Sequence, residues 1–174
     1  VCVLGGGVAG GAAARIAMGF EAKVTVLDRS LSRLDELDWR NGAQLNTVYS
    51  TVDAVERHDR GADLVTGSVL VPRAAAPEVM TEEMIKSTRP SAILVDIAID
   101  QGGCFEMSLP TSHADPVYTE HGVIHYCVTN MPGAAAKTLT FALNNTRMPN
   151  TLKLANLEWR EALQSDPGFL EGLN

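Results

Sequence analysis

The chain has few basic residues, few cysteines and no long apolar run, and each shortage closes off a class of function. Fourteen Lys and Arg face 21 Asp and Glu, for a net charge of −7 over 174 residues. The cations are scattered, so neither a nucleic-acid surface nor an electrostatic membrane anchor is expected. No apolar stretch approaches the roughly 20 residues that a bilayer-spanning helix requires. No secretory leader is visible, and Val1 already stands inside an apolar run, so a true N-terminus is not expected at this residue. Cys2, Cys104 and Cys127 are odd in number and lack C-x-x-C spacing, which predicts buried reduced thiols and a cytoplasmic protein. His58, His113, His121 and His125 supply no helical i, i+4 pair with a third ligand, so no metal site is expected. The apolar fraction, 45%, is ordinary for a globular chain with a real core.

What the chain does have is a glycine turn at its start. Residues 1–4 read as a buried strand and residues 11–18 as an Ala-rich helix; between them Gly5, Gly7 and Gly10 spell G-x-G-x-x-G. The first glycine permits a tight turn, the second lets the backbone approach a pyrophosphate, and the third lets helix and strand pack closely. The anion then meets the free N–H groups and positive dipole end of the helix. With Val8 between them, these glycines are the candidate pyrophosphate seat. The next strand, residues 23–28, ends in Asp28, about 20 residues beyond the glycines, where a carboxylate takes ribose hydroxyls and repels a 2′-phosphate. This favours NAD over NADP. Arg33 either reaches the ribose or pairs with Asp28.

The rest of the chain alternates. A helix over 30–38 is capped by Ser30, a strand runs over 44–49, and Ser50 or Thr51 caps a polar helix ending at Arg60. Residues 62–70 form a fourth strand and its exit, 72–77 a loop, and Thr81 caps a short helix stopped by Pro90. Residues 91–100 and 122–129 are further apolar strands, and the polar stretch 101–121 between them is too long to be a bare connector. This predicts an α/β fold with a doubly wound, Rossmann-type parallel sheet over residues 1–133, covered on both faces. Residues 134–174 are expected to carry two helices, 134–145 and 150–164, separated by Pro149 and returning to a second domain that is largely absent.

Ligands of such sheets bind at the carboxyl ends of the strands. There the chain places Ser50, then Ser68, Val69 and Leu70, then Ile97 to Asp100, then Asn130 and Met131. Asp100, ahead of Gln101-Gly102-Gly103, is either an acid or base aimed into the cleft or a carboxylate capping its own turn. Asp96 is expected to be structural and His125 a core histidine; His113 and His121 stay open. Asn130-Met131-Pro132-Gly133 either closes over a flat ring or makes a simple turn into a helix.

The blocks Asp100-Gln-Gly-Gly and Asn130-Met-Pro-Gly, with their flanking strands, the glycine motif, Asp28 and the ending from Asp166, resemble L-alanine dehydrogenases. The similarity runs over the whole chain. It implies reversible, NAD-dependent oxidative deamination of L-alanine to pyruvate and ammonia, an L-alanine catabolic activity. By motif, Asp28, Arg33, Ser50, Val69, Leu70, Ile97, Ala98, Ile99, Asp100, Val128, Thr129, Asn130 and Met131 would contact the cofactor, and Asp100 would be the catalytic aspartate. The resemblance also implies a homohexamer. Members carry a substrate half ahead of the glycine motif, supplying a lysine, a histidine and an arginine, and this is not in the sequence. Leu109 stands where some members have a basic residue. The alternatives are the NAD(H)-binding domain of a proton-translocating transhydrogenase, and a catalytically inactive nucleotide-binding fragment.

Overall fold

Short aliphatic runs that end in Gly, Ser or Asp set the strand count, and the helices between them bury only one face. The computed structural model describes residues 1–70, 76–171 and 173, so most of the loop read over 72–77 lies outside the described residues. The chain divides into two compact units, Val1–Met131 and Pro132–Asn174.

The first unit runs β1 (Cys2–Leu4), α1 (Val8–Gly19), β2 (Val24–Asp28), α2 (Leu31–Asn41), β3 (Leu45–Tyr49), α3 (Val52–Asp59), β4 (Leu64–Gly67), α4 (Glu82–Ser87), β5 (Ile93–Asp96), β6 (Val117–Glu120) and β7 (Val123–Tyr126). The sheet order is β3-β2-β1-β4-β5-β7-β6. All neighbours are parallel except β6, which runs antiparallel to β7. The chain first winds outward from β1 through β2 to β3, then crosses to β4 on the other side of β1. That reversal is the switch point at which doubly wound sheets open a crevice.

Alternation along the central strands sends side chains to both faces. Val3, Val24 and Val26 pack with Ala14 of α1 and Leu37 of α2. Cys2, Leu4 and Leu27 pack with Ala54 and Val55 of α3, Met84 and Ile85 of α4, and Phe105. Both faces are therefore covered, as the continuous apolar strands predict. Ser30, Thr51 and Thr81 accept hydrogen bonds from the third residue onward and cap α2, α3 and α4. The three cysteines are buried free thiols. Burial pushes the Cys2 and Cys104 thiols up to about 12, so both are held protonated.

Three sequence expectations are revised. The strand read over 91–100 stops at Asp96, because the Asp96 carboxylate accepts the Ala98 N–H and turns the chain. The stretch 101–121 contains β6, joined to β7 by a two-residue turn in which His121 (φ 53°) and Gly122 (φ 78°) are both left-handed, the primed geometry that matches strand twist. In the second unit Pro149 does not separate two helices. It lies inside α5 (Ala136–Asn156), which continues past the one hydrogen bond that Pro cannot donate. The break falls instead at Leu157, with an extended backbone, before α6 (Trp159–Gln164) and α7 (Pro167–Leu170). Asp166 caps α7 by accepting from Gly168 and Phe169. Among the described residues no helix is long and apolar enough to cross a membrane.

One core residue stores a pH-dependent cost. Asp59, at the end of α3, is fully buried, and neither carboxylate oxygen has a hydrogen-bond partner among the described residues. Burial raises its pKa from 3.8 to about 7, with Arg60 opposing and Glu56 adding to the rise. The folded chain thus holds a proton that the unfolded chain releases. The resulting stabilisation is complete below about pH 4 and is lost as pH rises through 7. Asp59→Asn is expected to gain on the native protein across that window, by about 4 kcal/mol at most. Urea unfolding of both proteins at pH 5 and pH 8 checks this, and parallel pH dependence would refute it.

Candidate functional site

The carboxyl ends of the parallel strands are stitched together one residue past each strand. Gly5 N–H donates to Leu27, Ser50 to Asp28, Ser68 to Leu4 and Ile97 to Gly67. Residues 5, 28, 50, 68 and 97 therefore lie along a single edge of the sheet, and the switch point falls between Gly5 and Ser68.

At that point α1 begins almost in contact with β1. A Cβ on Gly10 would sit 1.8 Å from the Gly5 carbonyl oxygen and 2.4 Å from Ser68 Oγ, so no side chain fits. Ser68 Oγ closes the packing by donating toward the Leu4 and Gly5 carbonyls at 2.9 and 2.7 Å. Gly7 is the opposite case: nothing lies within 4 Å of its absent Cβ. It caps α1 without any side-chain hydrogen bond, no acidic residue occupies the first turn, and Val8 is 93% exposed. The first N–H groups of α1 thus face open space at the positive end of the helix. This is what a phosphate-bearing cofactor requires, and the residues present fit one.

Asp28 and Arg33 hold Gly6 by the two peptide groups that flank its Cα. The Gly6 N–H donates to Asp28 Oδ2 at 2.6 Å, and Arg33 Nε donates to the Gly6 carbonyl at 2.5 Å. Asp28 Oδ1 accepts from the Ser30 N–H at 2.8 Å, which leaves lone pairs on both oxygens. Of the two roles open to Arg33 in the sequence, the structure shows neither directly. Its other nitrogens reach Glu36 Oε2 at 2.5 Å and the Gly7 carbonyl at 3.4 Å.

The second half of the edge is organised by Asp96. This fully buried carboxylate accepts from Ala98 N–H (3.0 Å), Cys104 N–H (2.7 Å) and Ser108 Oγ (2.5 Å), folding residues 97–108 around itself. A Cβ on Gly103, where φ is +89°, would come within 2.9 Å of Asp96 Oδ2 and 2.8 Å of Ser108 Cβ. The second glycine of Asp100-Gln-Gly-Gly is thus required by Asp96. Ile99–Gln101 form a 3-10 turn. Ala98 and Ile99 point inward, while Asp100 is exposed and has no hydrogen bond or ion pair among the described residues. The turn made by a carboxylate is Asp96's, not Asp100's, among the described residues.

Tyr118, on the strand that sequence reading passed over, locks this loop from outside. Its hydroxyl donates to Met107 O at 2.7 Å and accepts from Leu109 N–H at 2.8 Å, and its ring stacks on His125 at 4.8 Å. His125 is fully buried with both ring nitrogens unpartnered among the described residues, and burial lowers its pKa, so it is a neutral core ring. The alternation Val117-Tyr-Thr-Glu followed by His121-Gly122 was the available signal. His121 pairs with Glu82 at 3.0 Å.

Past β7, Val128 is buried while Thr129 and Asn130 are exposed, and Asn130 adopts φ 55°. The Asn130 carbonyl lies 3.1 Å from His113 Nε2. Ser50 and Val69 are half-buried and Leu70 exposed at their strand exits. Among the described residues no cluster of His, Cys, Asp or Glu could hold a metal ion.

Comparison with known proteins agrees with this geometry. The family model described as alanine dehydrogenase/PNT, C-terminal domain, matches residues 1–174. An alanine dehydrogenase of Halomonas elongata is 53% identical over 174 residues, covering 100% of this chain and 47% of that protein. One of Mycolicibacterium smegmatis is 48% identical over the same span, again 100% and 47%. A solved L-alanine dehydrogenase superposes with a TM-score of 0.92 at 42% identity, over 99% of this chain and 48% of that one. A transhydrogenase from Sinorhizobium meliloti gives 0.68 at 25% identity, over 84% and 44%. The chain spans about half the length of the curated relatives it matches. An open glycine seat, an acid at the end of β2 and an Asp96-built loop after β5, in a chain matched from end to end, place it in the alanine dehydrogenase/PNT family, as the C-terminal domain.

Proposed function

We propose that this chain is the NAD-binding half of an alanine dehydrogenase, which with a substrate half performs the reversible oxidative deamination of L-alanine to pyruvate and ammonia. The observation that carries the reading is Asp100: an exposed carboxylate with no partner among the described residues, on a loop that Asp96 rigidifies and on the same sheet edge as the uncapped start of α1. The relatives at 53% and 48% identity bear the name alanine dehydrogenase, and the reaction is carried to this chain from them. The family resemblance implies a homohexamer, and the buried free thiols support a cytoplasmic enzyme.

Each part of the edge has a separate task. The N–H groups at the start of α1 and the bare backbone at Gly7 take the pyrophosphate. Asp28 takes the adenosine ribose hydroxyls while its contact with Gly6 keeps the loop in shape. Residues 97–100 and 128–131 line the seat mainly through backbone where Ala98, Ile99 and Val128 turn inward. When bound, the nicotinamide supplies the hydride acceptor, and the protein supplies orientation. Asp100 holds the substrate amine and exchanges a proton with it or with the water that releases ammonia.

The reading is tested on the full-length enzyme by alanine-dependent NAD reduction and by NADH oxidation with pyruvate and ammonia. Binding of NADH with no turnover in either direction would refute it, and hydride exchange between nucleotides would favour a transhydrogenase domain instead. Asp100→Asn is expected to keep NADH affinity and to lower kcat by about a hundredfold or more; undiminished turnover removes its assigned role. Asp28→Ser is expected to shift the ratio of kcat/KM for NADP over NAD upward by about tenfold. An unaltered ratio counts against the ribose assignment.

A further inference from the structure

The helix beside the glycine seat carries three charged residues on one face, Arg33, Glu36 and Arg40, at i, i+3 and i+7. In doubly wound nucleotide sites an arginine near the β2 acid can serve a 2′-phosphate. Arg33 is such an arginine by position, since it grips the carbonyl of Gly6, the residue whose N–H Asp28 holds. Each of its three guanidinium nitrogens nevertheless already has one contact within the chain. Nε and Nη2 point at the Gly6 and Gly7 carbonyls, and Nη1 meets Glu36 Oε2 at 2.5 Å. The other Glu36 oxygen takes Arg40 Nη2, also at 2.5 Å. A single carboxylate therefore ties down Arg33, beside the seat, and Arg40, farther along the helix. The Arg33 hydrogen bond is the main reason that Glu36 ionises more readily than an ordinary glutamate.

We infer that Glu36 is a cofactor-selectivity residue: by pairing with Arg33 it keeps that guanidinium from serving a 2′-phosphate, and so reinforces the exclusion begun by Asp28. This rests on the nicotinamide-nucleotide reading of the seat. Two effects are combined in it, the negative charge itself and the tether that orients Arg33 along the glycine loop, and they separate by experiment. With Glu36 neutral, Arg33 keeps its grip on Gly6 through Nε while Nη1 is released to an incoming anion.

Fluorescence titration of the full-length protein with NADH and NADPH, which differ only in the 2′-phosphate, reads the selectivity without catalysis. Glu36→Gln is expected to tighten NADPH relative to NADH by about fivefold at low salt, the worth of one exposed ion pair. The gain should disappear when Arg33→Met is added and should shrink as salt is raised. Asp38→Asn, which removes an exposed charge of the same sign from the same helix, should leave the ratio alone. An unchanged NADPH-to-NADH ratio in Glu36→Gln overturns the inference, as does an equal gain in Asp38→Asn. Failure of the native protein to bind either nucleotide overturns the reading of the seat and the inference together.

Discussion

The structure depends on how closely the start of α1 approaches the end of β1. At Gly10 the space is so small that a Cβ would meet the Gly5 carbonyl at 1.8 Å. Closing that gap brings the helix axis onto the crevice between β1 and β4 and leaves its first N–H groups directed outward. Ser68 then fills what room remains, donating to the two carbonyls at the end of β1. Loss of side chain at Gly10 and gain of a hydroxyl at Ser68 are parts of one solution. Gly7 stays open, with nothing within 4 Å of its absent Cβ, while Gly5 and Gly10 on either side of it in the motif are packed without space to spare.

The other end of the site follows from a different constraint, the burial of Asp96. A carboxyl group out of water needs hydrogen-bond partners, and the surrounding loop supplies three donors. Meeting that need fixes the path of residues 97–108, and Gly103 is the residue that the path demands. Tyr118 then fastens Met107 and Leu109 from the antiparallel edge strand. The exposed Asp100 is thus carried by a loop whose conformation is determined by buried groups. This is the kind of support that holds a functional side chain in place when its own environment does little.

Much of this was legible in the sequence. The glycine spacing and the acid closing β2 located the first half of the edge, because both follow from backbone geometry that few other residues permit. The caps Ser30, Thr51 and Thr81 were readable for the same reason. What escaped was tertiary. The strand ending at Asp96 looked longer because Ile97, Ala98 and Ile99 are apolar, yet they are apolar to pack a turn. Strand β6 was hidden in a polar stretch because an edge strand has one solvated face. Pro149 read as a helix end from local sterics alone, whereas α5 continues past it at the loss of one hydrogen bond.

Four aspartates show why residue type alone could not assign roles here. Asp28 is half-buried with two backbone donors and lone pairs to spare, so it can both shape the glycine loop and bind a diol. Asp96 is buried with all its donors provided by the chain, so it acts on structure. Asp59 is buried with none among the described residues, so it keeps its proton to about neutral pH and costs stability above it. Asp100 is exposed and has no partner among the described residues, so none of these occupies the carboxylate as they do those of Asp28 and Asp96. The chemistry of the carboxyl group is the same in each; the supply of donors decides whether it builds, burdens or binds.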